Sequence, residues 1–237
     1  MTKVLDQVHA ALASEPRLDL HEFPIKLSYA DGTLAVEGEV GDIAVKKLAM
    51  ERAAALPEVT GILDRLRVRP AQRMGDGEIR DLVRDALLQE PAFGDFAIRR
   101  RLGERIEPVR EPPEPRGTIE LKVEEGVVTL NGQVPNLDDK RLAGVLAWWV
   151  PGSRDVINGI AVEPPEQDSD VAILEAVRLV LEKDPFVDAS QIRVGVKNAL
   201  VRLTGLVPSE AEREMAEFDA WYVFGVDMVD NRIEVRI

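Results

Sequence analysis

The chain has 237 residues, of which 45% are apolar and 31% charged, and its formal net charge is −13. These values fit a soluble protein of one large domain or two to three small ones, and no run approaches the roughly 18 apolar residues that span a bilayer. The absence of cysteine excludes disulfides, thiol nucleophiles and thiolate metal sites, and the negative charge argues against nucleic acid as a partner.

The chain begins with a predicted amphipathic helix that ends before Pro16. Val4, Val8, Ala11 and Leu12 follow the i, i+4, i+7, i+8 spacing of one helix face. Polar residues interrupt this stretch, so we interpret it as the first helix of the fold and not as an export signal. We therefore expect a cytoplasmic protein, either free or peripheral to the inner membrane.

Two strands follow the helix and are joined by a tight turn. Alternating apolar residues predict strands over 25–29 and 34–40, and Asp31-Gly32 between them is a strong hairpin signal. A second amphipathic helix and a third strand, over 62–68, complete the unit.

The same order of elements recurs twice more along the chain. Three glycines anchor the alignment of the copies: Gly38, Gly132 and Gly205. Polar N-cap candidates begin the second helix of each copy: Asp42, Asn136 and Ser209. The apolar alternation continues on both sides of each anchor glycine. We therefore interpret the glycine as structural, at a place where another backbone or a helix packs closely, in preference to a ligand contact.

The predicted fold class is α+β, with three tandem α-β-β-α-β units. In each unit two helices pack on a small mixed three-stranded sheet. The expected domains are 1–69, 70–164 with an insertion at about 98–117, and 165–237.

This repeated pattern resembles the BON domain family. The resemblance rests on "DPFVDASQIRVGVKNALVRLTGLV" with "DMVDNRIEV", and on "IELKVEEGVVTLNGQV" with "DVINGIAV". It covers nearly the whole chain as three copies and implies a small α/β fold without enzymatic activity. Members of the family are usually thought to bind phospholipid or envelope surfaces, and many are periplasmic. The resemblance therefore implies a phospholipid or envelope surface, or a protein, as the partner.

The second copy contains the insertion between its first helix and its first strand. From the helix-ending proline to the anchor glycine there are 41 residues in this copy, against 22 and 20 in the others. The inserted segment has six arginines and four glutamates, and Arg99, Arg100, Arg101 and Arg105 are candidate binding residues. One interpretation is a loop that contacts anionic headgroups, phosphate or an acidic partner. The other is a solvated, proline-stiffened loop whose arginines pair with nearby acidic surface.

Aromatic pairs end the second helix of two copies, where the first copy has two alanines. Trp148 and Trp149, and Trp221 and Tyr222, lie well away from the apolar stripe of their own helix. Packing between repeats or against another subunit is the favoured interpretation, and membrane-interface insertion or partial exposure is the alternative.

No catalytic or metal-binding motif is visible in the sequence. His9 and His21 lack metal-ligand spacing, and HExxH, GxGxxG, Walker-type and G-x-S-x-G patterns are absent. We therefore expect no catalytic residue, no metal and no cofactor. The leading hypothesis is a non-enzymatic scaffold that binds a membrane or envelope surface or a protein partner.

Two other hypotheses remain open. One is a self-assembling, homo-oligomeric protein with the aromatic helix ends as its interface. The other is an enzyme or sensor whose pocket, at a repeat boundary, gathers residues 99–105 around an anion.

Overall fold

The computed structural model describes residues 2–236, which form two compact units, one up to Arg69 and one from Pro70 onward. No described helix combines the length and the hydropathy that crossing a bilayer requires.

The first unit contains one copy of the predicted repeat. Its elements are α1 (Thr2–Ala13), β1 (Lys26–Ala30), β2 (Thr33–Val40), α2 (Ile43–Ala54) and β3 (Gly61–Val68). In its sheet β1 is antiparallel to β2, and β2 is parallel to β3. The apolar faces of both helices meet this sheet in one core, in which Val8, Leu12, Leu34, Val36 and Leu66 are fully buried. Burial of these faces holds the short elements together.

The second unit contains the other two copies. The second repeat comprises α3 (Asp76–Gln89), β4 (Ala97–Leu102), β5 (Arg105–Arg110), β6 (Thr118–Glu124), β7 (Val127–Val134), α4 (Leu137–Trp148), β8 (Asp155–Asn158) and β9 (Ala161–Val162). The third comprises α5 (Asp170–Lys183), β10 (Ile192–Lys197), β11 (Leu200–Val207), α6 (Glu210–Tyr222) and β12 (Met228–Val235). The sheet orders are β5-β4-β6-β7-β8, with β9 beside β7, and β10-β11-β12.

The predicted α+β class is confirmed, with three mixed sheets of three, six and three strands. The prediction of a loop over about 98–117 is wrong for most of that segment. Residues 97–110 form the antiparallel pair β4–β5, and β4 adds in parallel to β6. The second sheet is therefore larger than the three strands expected. Ala97 and Ile98 are the buried residues of β4, and the three consecutive arginines after them interrupt the apolar alternation that would predict a strand.

The anchor glycines lie where two strands approach closely. Gly132 has φ +119°, and a Cβ there would lie 2.1 Å from the carbonyl oxygen of Thr118. At Gly205 the corresponding distance is 2.0 Å to the oxygen of Gln191, and at Gly38 the Cβ would meet a backbone oxygen at 2.9 Å. These gaps are too short for any side chain, which explains a glycine at this position in every copy.

A carboxylate at the start of the first helix supports the hairpin turn in the second and third repeats. Asp76 accepts the backbone N–H groups of Glu125 and Gly126 at 3.0 and 2.9 Å. Asp170 accepts those of Asn198 and Ala199 at 2.8 and 2.9 Å, and these hydrogen bonds lower the pKa of Asp170. The turn in the third repeat therefore forms without glycine, although Ala199 has φ +57°.

The predicted N-caps of the second helices are confirmed. The side chains of Asp42, Asn136 and Ser209 each accept the backbone N–H three residues further on. These caps fix where the helices begin after the hairpins.

Candidate functional site

The β4–β5 hairpin carries all four candidate arginines, and each has a carboxylate partner. On the face shared with β6, Arg99 Nε donates to Glu111 Oε2 at 3.1 Å and Arg101 Nε donates to Glu120 Oε1 at 2.6 Å. The Arg99 guanidinium holds the pKa of Glu111 below its usual range. The structure thus brings the arginines onto one hairpin and neutralises them locally.

Glu107 bridges the remaining two arginines. Its carboxylate lies 2.8 Å from Arg100 Nη2 and 3.2 Å from Arg105 Nε, and the hydrogen bond from Arg100 lowers the pKa of Glu107. The Arg105 side chain is 78% exposed, the most accessible of the four. Because the Arg105 side chain is largely solvated, an external anion can compete with Glu107 for it.

The tip of the hairpin exposes two apolar side chains. Leu102 and Ile106 are 36% and 44% exposed, and Arg105 pairs with Leu102 across the hairpin while Ile106 pairs with Arg101. The tip therefore presents apolar and cationic groups together.

Arg110 fixes the base of the hairpin and was missed by the sequence analysis. Its guanidinium donates to the carbonyl oxygen of Phe93 and, at 3.1 Å, to that of Phe96. It thereby satisfies carbonyl groups in the turn that follows α3. The only sequence signal for Arg110 is its position among the six arginines of the inserted segment.

The aromatic helix ends of the second and third repeats meet each other. The rings of Trp148 and Tyr222 stack with centroids 5.3 Å apart and an interplanar angle of 13°. Trp149 Nε1 donates to Asp219 Oδ1 at 2.8 Å, and Trp221 is only 1% exposed. These four aromatic residues therefore lie at the boundary between the second and third repeats. None of them belongs to the β4–β5 hairpin that carries the candidate arginines.

Arg141 crosses the same boundary and is another residue that sequence reasoning missed. Its side chain is 1% exposed. It donates to Asp168 Oδ1 at 2.5 Å and to the carbonyl oxygen of Phe224 at 2.9 Å. A buried guanidinium with partners from another repeat holds the two modules together, because losing the Asp168 carboxylate would leave the buried charge without its short ion pair.

Asp219 carries a strongly perturbed carboxyl group at this boundary. Burial raises the pKa of Asp219 to about 8, against the opposing hydrogen bond from Trp149, and the neighbouring Asp184 carboxylate adds to the rise. Oδ2 of Asp219 is buried without a donor to accept from. The neutral form suits this environment, because its proton can be donated towards Asp184. An acidic residue between Ala216 and Ala220 of the buried stripe was the available sequence signal.

The described residues contain no group of three His, Asp or Glu side chains that could hold a metal ion. A shallow cleft of about 330 Å³ lies between α4 and α5, and its lining includes Asp138, Glu175 and Arg178. None of the arginines from 99 to 105 lines this cleft. The arrangement expected for an anion pocket built by these arginines is therefore not present there.

Repeated α-β-β-α-β modules, with their helices on one face of each sheet, define the class of the chain. A family model described as the BON domain matches residues 75–164 and 169–237, more than half of the chain. The chain belongs to the BON domain family.

Osmotically-inducible protein Y of Escherichia coli (strain K12) is a curated relative. It is 28% identical over 124 residues, which cover 50% of this chain and 62% of that protein. The match thus spans less than two thirds of the relative's length.

Among solved structures, this chain is similar to the C-terminal domain of CdsD, the structural protein of the type III secretion system of Chlamydia trachomatis. The identity is 14% and the TM-score 0.26, over 100% of this chain and 99% of that one. The PrgH periplasmic domain also matches, at 14% identity and a TM-score of 0.23, over 91% and 96% of the two chains. Such low scores mark only a distant likeness.

Proposed function

We propose that this chain is a non-enzymatic binding protein that attaches to an anionic phospholipid or envelope surface through the tip of the β4–β5 hairpin. The observation that carries this proposal is the exposure of Leu102 and Ile106 beside Arg105. Apolar side chains can enter the boundary between headgroups and acyl chains while guanidinium groups meet lipid phosphates. Three modules, bounded at 1–69, 70–164 and 165–237, would form the scaffold that holds this tip.

The charge of the hairpin supports the same role within an acidic chain. Residues 97–110 include five arginines and two glutamates. Near an anionic surface the exposed Arg105 contributes about 1 kcal/mol of attraction, which can compete with its weak pairing to Glu107. Membership of the BON domain family supports a role without catalysis, and the name of the curated relative suggests a link to osmotic stress. Cell fractionation would distinguish the cytoplasmic face of the inner membrane from the periplasm.

Vesicle flotation tests this proposal. We expect the full chain to float with vesicles of phosphatidylglycerol at low salt and to remain below with phosphatidylcholine vesicles, because these carry no net negative charge. High salt should also weaken flotation with phosphatidylglycerol, because it screens the attraction. The variant Leu102→Ser/Ile106→Ser should lose about 30-fold in partitioning, since two apolar side chains that each contribute on the order of 1 kcal/mol when partly buried together account for about 2 kcal/mol. Ile157→Ser, which changes an apolar residue 50% exposed on β8, is the matched control. Equal flotation of the tip variant and the control would refute the proposed contact.

We favour surface binding over self-assembly through the aromatic helix ends. Trp148 and Tyr222 stack on each other within the chain, and Trp149 donates to Asp219. These groups are thereby engaged inside one unit and offer little surface to a second copy. Light scattering at high concentration tests this preference, and a stable dimer that Trp148→Ala abolishes would favour self-assembly.

A further inference from the structure

The third repeat leaves open a sheet edge that the second repeat covers. Within residues 2–236, β10 pairs with β11 alone. The equivalent strand of the second repeat, β6, pairs with β7 on one side and with β4 on the other. The chain thus shows what an occupant of this edge looks like, namely a short strand that runs parallel to it.

The charges on these two equivalent strands are opposite. In the alignment on the anchor glycines, Glu120 and Glu124 of β6 correspond to Arg193 and Lys197 of β10. Glu120 lies opposite Arg99 of β4 and accepts a hydrogen bond from Arg101. The part of this edge that contains Glu120 is therefore covered by a basic strand in the second repeat, whereas Glu124 lies beyond the residues of β6 that pair with β4.

The basic edge of the third repeat has no such complement in the chain. Arg193 and Lys197 are both exposed, and neither forms an ion pair with any residue in the described range. The third repeat is acidic as a whole, yet these two cations lie on one face of an exposed edge strand. The strand that would complete this edge must carry carboxylates where β4 carries arginines.

The β10 edge lacks two of the features that interrupt strand addition, and its exposed cations, Arg193 and Lys197, oppose only a strand that does not neutralise them. The edge strand β5 contains Pro108, and its register with β4 shifts between Ile98 and Arg99. Proline and irregular register both interrupt edge pairing. By contrast, β10 contains no proline and pairs regularly with β11 over all of its residues. Antiparallel pairing of two β10 strands would bring their cations together, which disfavours a second copy as the occupant.

We propose that the open edge of β10 binds, by parallel strand addition, an extended segment of a partner protein that carries carboxylates at alternate positions. Backbone hydrogen bonds to the edge supply affinity, and the pairing of these carboxylates with Arg193 and Lys197 supplies specificity. This site is separate from the hairpin tip and takes a different class of partner.

Two labelled synthetic peptides provide the test with the full chain. One copies residues 95–102 with glutamate in place of Arg99 and Arg101, and the other copies the same residues unchanged. In the register of β4 on β6, position 99 faces Arg193, and position 101 lies diagonally between Arg193 and Lys197. We expect the glutamate peptide to bind about tenfold tighter at low salt, and the preference to shrink at high salt. In hydrogen exchange, the amides of 192–197 should gain protection only when this peptide is bound.

Charge reversal sharpens the test. The double variant Arg193→Glu/Lys197→Glu should prefer the unchanged arginine peptide, whereas Lys26→Glu, at the position in β1 equivalent to Arg193, should leave the preference as it was. Circular dichroism checks that each variant folds. The hydrogen-exchange measurement is made on the unaltered chain and does not depend on the variants. Equal affinity for both peptides, protection outside 192–197, or an unreversed preference would overturn the inference. Vesicle flotation would be unaffected by any of these outcomes, since it depends on the hairpin tip.

Discussion

The two units of the molecule use the same module in different ways. The unit up to Arg69 holds a single repeat with its own sheet and core. The unit from Pro70 onward joins two repeats across a boundary of stacked rings and a buried guanidinium. Where α4 and α6 carry aromatic residues near their ends, the first repeat has Ala54 and Ala55, both exposed. A few residues at the end of a helix therefore decide whether the common module packs against a neighbouring repeat.

The two units also differ in what surrounds the acidic residue just before the helix-ending proline of a repeat. Glu15 is buried and accepts hydrogen bonds from Arg52 in the first repeat. The equivalent acid of the third repeat, Asp184, faces Asp219, which occupies the helix position of Arg52. An ion pair has thus been replaced by two acidic groups. We therefore expect the stability of the second unit to depend on the protonation of Asp219.

The largest effect is expected from Arg141→Met. Removing the guanidinium leaves Asp168 and the carbonyl of Phe224 without their buried donor, which should destabilise the second unit by about 3–5 kcal/mol. Urea unfolding followed by tryptophan fluorescence measures this, because all three tryptophans lie in that unit. The control is Arg178→Met, an exposed arginine on α5. A loss below about 1 kcal/mol would mean that Arg141 does not hold the two repeats together.

The next effect is a dependence of stability on pH that Asp219→Asn should remove. The pKa of Asp219 is about 8 in the folded chain, against 3.8 for an ordinary aspartate. Between these values the folded state keeps a proton that the unfolded state has released. Stability should therefore fall as pH rises, by up to ~1.4 kcal/mol per pH unit and about 2–4 kcal/mol from pH 5 to 8.

Urea titrations at pH 5, 6.5 and 8 check the Asp219 prediction. Asparagine keeps an oxygen for Trp149 and gains an amide that can donate to Asp184, so the variant should lose most of the slope. Glu214→Gln, which changes an exposed acid on the same helix, should retain it. If both variants kept the full slope, Asp219 would not be its source.

The smallest effect is expected from Trp148→Ala, which removes one ring of the stack with Tyr222. Both residues are partly exposed, so the expected loss is about 1–3 kcal/mol, below that for a fully buried ring. Trp148→Phe keeps a stacking ring and should recover more than half of the loss. Unfolding monitored by circular dichroism measures both variants, and an equal loss in the two would attribute the effect to the indole and not to stacking.

Much of the fold was predictable because local signals repeat in one register. Each module is defined without long-range information by its anchor glycine, its N-cap and the helical and strand spacing of its apolar residues. The hairpin at 97–110 was not predicted, because its charged residues alternate with few apolar ones and its main support is the edge of β6. Strand pairing of this kind depends on an edge that only the assembled sheet provides.

The candidate site was predictable in part. The sequence identified the arginine segment and the aromatic pairs by composition and by their absence from the first copy. It could not identify the contacts between repeats: Trp149 reaches Asp219 across 70 positions, and Arg141, which was not a candidate, reaches Phe224 across 83. Such contacts follow from how two modules pack, which has no periodic signal along the chain.

The carboxylate of Asp170 has a consequence for how the third repeat forms. In the first repeat the dipeptide Asp31-Gly32 favours its turn by local conformational preference alone. In the third repeat Asn198-Ala199 lacks that preference and relies on an acceptor 28 and 29 positions earlier in the chain. We therefore expect this hairpin to gain much of its stability when α5 docks, so that the turn of the third repeat depends on an earlier segment of the chain more than the turn of the first repeat does.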